Sequence, residues 1–308
     1  VNRFFLQLTA QAENLIYGHL QILANECGFT NPPFLNGHLQ HGWNGSDVFS
    51  TTALSRIRAK KYVWSTRVAE NIATGKGKNF IAVGAPWLYL LRQQKVELEN
   101  HFSSDGVIAY PDHSQPWEML NNIHPEYSEY LKKSFGKVTV SLHWTDYSNT
   151  NVRKSYEKLG HQVITNGVGT PWLPNFNTNY LKDQLTYLSN NNTFVSNSIN
   201  TAAFYAASLG LDVIIGGPAG WTDKLDTKRY YGNFGLDYWK QKLTDKKIRS
   251  ALWKDELGFR HLLDKKSLRK TLEWESPAYG SSVIFISQRI QDILLNGDYK
   301  EKLSFIRK

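Results

Sequence analysis

Short apolar runs alternate with amphipathic stretches along most of this chain, and the alternation is clearest after residue 105. Strands are expected at residues 106–110, 137–144, 161–165, 193–196 and 211–215, with helices at 151–159, 177–188 and 201–209 between them. Apolar strands that alternate with helices form parallel, doubly wound sheets, whose ligands gather at the carboxyl ends of the strands. The first third carries a shorter version of the same rhythm. Strands are expected at 61–65 and 79–84 around a helix at 66–74, and a further helix at 87–100. Ahead of them, Leu15, Ile16, Leu20, Ile22 and Leu23 fall at helical spacing, which predicts one amphipathic helix over 6–27, closed by Gly28.

Ser103-Ser104-Asp105-Gly106 is the best linker in the chain, and 308 residues exceed what one small core organises. The expected division is a first lobe over 1–102, a second over 103–280, and a closing helix within 281–308 that packs back on the first. The fold class is therefore α/β, with two Rossmann-like lobes, parallel sheets and a cleft between them.

Composition narrows the partners. Apolar residues make up 41% and charged residues 20%, with no apolar run near the ~20 residues of a membrane-spanning helix. One cysteine, Cys27, makes no internal disulfide, which favours a reducing, cytoplasmic setting. The formal charge of +9 favours anionic partners: nucleotide phosphates, an anionic membrane face met peripherally, or nucleic acid. Zinc-finger spacing, an RNP-like strand and a sustained basic helix face are all missing, so no nucleic-acid partner is expected.

Three segments carry candidate chemistry. In the run from Thr193 to Ile215 a strand ends at Ser196, and Asn197, Ser198 and Asn200 form a polar turn before a helix at Thr201. Free backbone N–H groups and hydroxyls then face one spot, which suits phosphate; the plainer alternative is that Ser and Asn simply cap the helix. Tyr110-Pro111-Asp112-His113-Ser114 follows the first strand of the second lobe, where His113 and Ser114 are placed to meet a diphosphate or, alternatively, to cap loop backbone. Gln40-His41-Gly42-Trp43 lies in a Gly-flanked polar loop, and the imidazole of His41 suits a general base; Asp47 is the rival, or the carboxylate that orients the imidazole. Asn166 and Gly167, and His143 to Asp146, fall at strand ends on the same sheet edge. No carboxylate or cysteine completes a metal cluster with His38 and His41, so neither metal nor cofactor is expected.

The order strand, Ser-rich turn, helix, Gly210, strand resembles the nucleotide-phosphate segment of GT-B glycosyltransferases. The likeness covers the βα repeats of the second half well and the first half weakly. His113-Ser114 is similar to turns in capsule-type transferases, and His41-Gly42 to turns in the acceptor lobe of polymer-type members. The resemblance implies transfer of a sugar from a nucleotide-sugar donor, held by Ser196, Asn197, Ser198, Asn200, Thr201, His113 and Ser114, with Asn166 and Gly167 at the base or ribose. It implies a glycan or lipid-linked acceptor, as in bacterial surface-polysaccharide assembly. Many members place a donor-ribose glutamate five residues before the glycine, where this chain has Tyr205; that departure favours inversion. A sugar-nucleotide epimerase or hydrolase, or a non-catalytic glycan- or nucleotide-binding protein, fits the same scaffold.

Overall fold

The computed structural model describes residues 11–46, 60–67, 80–99, 105–113, 123–218, 231 and 234–275. Two parallel sheets organise it. In the first, β1 (His38–Leu39), β2 (Lys61–Val63) and β3 (Phe80–Ala82) lie side by side in chain order, with Tyr62 opposite Leu39 and Ile81. Helices α1 (His19–Glu26) and α2 (Pro86–Gln93) pack together beside this sheet.

The second sheet has β4 (Val107–Ala109), β5 (Thr139–Ser141), β6 (Gln162–Ile164), β7 (Thr193–Ser196) and β8 (Asp212–Ile215), all parallel, in the spatial order β6-β5-β4-β7-β8. The strand order reverses between β4 and β7, which in a doubly wound sheet opens a crevice at the strands' carboxyl ends. Helices α3 (Ile123–Phe135), α4 (Trp144–Ser148) and α5 (Thr150–Glu157) follow β4 and β5. Tyr127, Leu131, Val152 and Tyr156 cover one face of the sheet against Ala109, Val140 and Val195. Helices α6 (Tyr180–Ser189), α7 (Thr201–Leu209), α8 (Gly235–Thr244) and α9 (Lys246–Glu256) contribute to the larger core on the other side, with α7 packed on β7 and α8 on β8.

Helix α7 is the keystone between the sheets. Its sequence, Thr-Ala-Ala-Phe-Tyr-Ala-Ala-Ser-Leu, is apolar all round, and every residue after Thr201 is buried, as a helix enclosed on all sides requires. Asn200 caps it by accepting from the Ala203 N–H at 3.1 Å. Gly210 ends it at φ 90°, where a Cβ would lie 2.8 Å from the Glu99 backbone. The Tyr205 ring stacks on Trp87 of the first lobe at 4.3 Å and 11°, and Trp87 donates its indole N–H to Ser208 Oγ at 2.9 Å. One continuous apolar core therefore runs from the first sheet into the second.

The chain also returns to the first lobe before its end. After α9, Leu257 O accepts from Ala85 N, Leu263 N donates to Tyr89 Oη, and Trp274 Nε1 donates to Phe34 O. Helix α10 (Lys265–Thr271) lies within this stretch. The closing helix expected within 281–308 lies outside the described residues.

Several expected elements differ in extent. The single helix over 6–27 breaks at Tyr17 and Gly18, with φ of 57° and 78°, because Gly18 packs where a Cβ would meet Thr178 O at 2.4 Å. Residues 38 and 39, expected within a loop, pair with β2 instead. The strand expected over 137–144 stops at Ser141, since His143 caps α4. The helix over 87–100 stops at Gln93, with Lys95 and Glu99 in left-handed conformations. His124-Pro125 falls in the first turn of α3, where His124 Nδ1 meets Tyr156 Oη at 2.8 Å and Nε2 lies 3.7 Å from buried Asp146.

Candidate active site

A cavity of about 150 Å³ lies at the β4/β7 crevice. Tyr110 and Pro111 leave β4, Asn200, Thr201 and Ala202 form the N-terminus of α7, and His41 approaches from the first lobe. The first-turn N–H groups of a helix have no intrahelical acceptor. Asn200 satisfies that of Ala203, and Asn200, Thr201 and Ala202 all border the cavity. This is the electropositive end of the helix dipole.

His41 is held there by its neighbours. Gln40 is fully buried: its Oε1 accepts from Trp64 N at 2.9 Å, and its Nε2 donates to Gly42 O at 3.0 Å. Trp43 N donates to Thr201 Oγ1 at 2.8 Å, so the His41 turn is bonded directly to the start of α7. The Trp43 indole rests against Phe204 and Trp239 and donates to Glu256 Oε2 at 2.7 Å. Glu256 in turn pairs with Arg67. Burial pushes the His41 imidazole down to about 4, so it is a neutral acceptor at physiological pH.

The opposite wall is aromatic and amidic. His113 stacks on His143 at 4.2 Å and 16°, bringing the ends of β4 and β5 together. His143 is held well below its usual range by burial, then by His113. Burial raises the phenols of Tyr17 and Tyr110 to about 12 and that of Tyr180 well above its usual value, so all three remain un-ionised donors. Tyr110 faces Ser141, Asn166 and Gln184. Asn166 borders the cavity, and its Oδ1 is buried with no hydrogen-bond partner among the described residues. No carboxylate and no Lys or Arg lines this cavity among the described residues. An anion here meets fixed dipoles rather than ion pairs.

Of the residues singled out in the sequence, the structure gathers His41, His113, Asn166, Asn200 and Thr201 around this one space. Ser196 and Asn197 do not line it; they shape it. Ser196 Oγ donates to Tyr110 O at 2.7 Å, and Asn197 Oδ1 accepts from Asp112 N at 2.7 Å, so together they fix the turn that carries His113. Ser198 is fully buried and absent from the lining, which removes its hydroxyl from direct contact with a ligand there. Gly167 also stands off the cavity, packed on Asn177 at φ 82°. Asp47 and Ser114 lie outside the described residues. Tyr17, Tyr180 and Gln184 escaped the sequence reading, since each sits in an ordinary amphipathic stretch; the Tyr17-Gly18 pair, with a glycine inside a helical pattern, was the one local sign.

Among the described residues no group of His, Cys, Asp or Glu is arranged to hold a metal ion, and no helix is long and apolar enough to cross a membrane. No protein-family model matches the sequence, and no curated protein matches it. Solved structures similar to the chain include the UDP-GlcNAc 2-epimerase from Neisseria meningitidis bound to UDP-GlcNAc, at 16% identity, a TM-score of 0.41 and coverage of 78% of this chain and 70% of that one. The S. aureus MnaA–UDP complex is 14% identical, with a TM-score of 0.35 and coverage of 88% and 69%. The wall teichoic acid polymerase TagF is 11% identical, with a TM-score of 0.32 and coverage of 87% and 69%. At these values the similarity assigns no activity to this chain.

Proposed function

We propose that this chain is a nucleotide-sugar enzyme of the GT-B type that transfers a sugar to a glycan or lipid-linked acceptor, by inversion and without a metal. The observation that carries the reading is the cavity itself, where the open end of α7 and the first-lobe residue His41 border one space at the strand-order reversal.

In this reading the Thr201 hydroxyl and the N–H groups of Thr201 and Ala202 hold the donor diphosphate. Thr201 Oγ1 already accepts from Trp43, so its own proton is the one left to give. His113, braced by His143, donates to the leaving phosphate as charge develops on it. His41 takes the acceptor hydroxyl proton. A bound diphosphate raises the imidazole from about 4 toward the range of an effective base, because a nearby negative charge favours the protonated form. Asn166, with an unsatisfied carbonyl oxygen, accepts an N–H or O–H of the base or ribose. Tyr205 stands at the sequence position of the ribose glutamate, stacked on Trp87 and bordering the cavity, so no carboxylate is supplied from there. The domain division at residues 102 and 103, and a cytoplasmic site beside an anionic membrane face, belong to the same proposal; the +9 charge supports the latter.

Incubation with nucleotide sugars, with and without glycan acceptors, tests it. Acceptor-dependent release of nucleotide supports transfer. Conversion of donor alone assigns an epimerase or hydrolase, and binding without turnover assigns a non-catalytic protein.

A further inference from the structure

A second cavity, of about 350 Å³, opens where β2 ends. Past Val63 the chain passes through Trp64 and Ser65 and turns helical at Thr66 and Arg67. The other wall is the end of α9 and the turn that follows, with Lys254, Arg260 and His261. Gly258 makes this approach possible: at φ 69° it packs against the Trp64 carbonyl, where a Cβ would lie only 1.7 Å from the oxygen.

Two features show that the cavity is built rather than incidental. Ser65 is 3% exposed, borders the cavity, and its Oγ has no hydrogen-bond partner among the described residues. Arg67 uses Nη2 on Glu256, while its Nε and Nη1 are buried, again with no partner among the described residues. Unsatisfied buried donors are costly, and a hydrogen bond from a guanidinium N–H to an oxyanion is charge-assisted and strong. Lys254 and Arg260 are engaged at the surface by Glu99 at 3.4 Å and Asp255 at 2.5 Å. Exposed pairs of this kind exchange partners at little cost. The lining carries three permanent cations against one carboxylate, Asp255.

We propose that this cavity binds a phosphate group, and that the group belongs to the acceptor. Glu256 ties Arg67 to the Trp43 indole, two residues from His41, so the site adjoins the lobe that presents the acceptor base. Assignment to the acceptor rests on the function proposed above; recognition of phosphate does not.

Titration of the full chain with inorganic phosphate and with glycerol 3-phosphate, followed by calorimetry, tests the site. Ser65→Ala and Arg67→Lys, both confirmed folded by thermal melts, are each expected to weaken binding about tenfold or more, because each removes a hydrogen bond to an anion. Arg67→Lys keeps a charge opposite Glu256, so loss of the Nε and Nη1 donors is separated from loss of the fold. Thr201 does not line this cavity, so Thr201→Val is expected to leave the Ser65-dependent component of phosphate binding unchanged. Absence of binding at millimolar phosphate overturns the proposal, as does binding that falls in Thr201→Val but not in Ser65→Ala. Phosphate binding that depends on Ser65 in a protein that ignores every nucleotide keeps this site and removes the transferase reading.

Discussion

Replacing Thr201 by valine keeps the shape of the side chain and removes its hydroxyl, which the structure uses twice. Trp43 N donates to it at 2.8 Å, and it borders the cavity at the open end of α7. The first loss leaves a partly buried N–H without its acceptor. The cost of an unsatisfied buried donor is about 1–3 kcal/mol, and the partial exposure of Trp43 places it near 1 kcal/mol. For a chain of this size that lowers Tm by about 2–4 °C. The second loss removes a hydrogen bond to an anion, about 1.5–3 kcal/mol, or roughly 10- to 100-fold in nucleotide affinity. Release of the His41 turn from α7 adds to the loss in turnover, since misplacing a reacting group by about 1 Å costs about 10²-fold. Thr201→Ser restores the hydroxyl and is expected to recover both properties. Calorimetric titration with nucleoside diphosphates and a parallel melting curve measure the two terms separately. A Thr201→Val protein with wild-type melting and wild-type nucleotide affinity refutes the reasoning.

His41→Ala is expected to lower kcat about 10²- to 10⁴-fold while nucleotide affinity is retained; because the free imidazole is held near 4, kcat/KM should stay flat above about pH 5 and fall below pH 4. Burial raises the Glu13 carboxyl from the usual 4.5 to about 7, so its contribution to stability is fully present below pH 4.5 and lost as pH rises through 7. Glu13→Gln is therefore expected to match the wild type at low pH and exceed it by as much as about 3 kcal/mol at pH 8, measured by urea unfolding. Gly258→Ala forces a Cβ against the Trp64 carbonyl at positive φ; a loss of at least about 2 kcal/mol is expected from the same measurement, and a neutral result contradicts the packing of α9 on the first lobe.

The sheet that carries the site was legible because its strands are buried on both faces and read as short apolar runs, and β7, α7 and Gly210 fall where the pattern places them. Helix α3 was not, since its early residues, His124, Pro125 and Glu126, resemble a turn; the helix is fixed by burying Tyr127 and Leu131 on the sheet and by the His124–Tyr156 bond 32 residues away. At the site, polarity in a strand-end turn draws attention to residues 196–201, but it does not reveal which side chains meet the cavity. Thr201 borders the cavity, Ser198 turns into packing, and Ser196 and Asn197 brace a neighbouring turn. The pairing of Trp43 with Glu256, 213 residues apart, leaves no local trace at all.

The most direct test of the central claim is a thermal-shift and calorimetry panel of UDP, GDP, CDP, CMP and dTDP on the wild-type chain and on Thr201→Val. The account predicts that one nucleotide stabilises the wild type and that this stabilisation largely disappears in the variant. Silence across the whole panel, or a nucleotide response that Thr201→Val leaves intact, contradicts it.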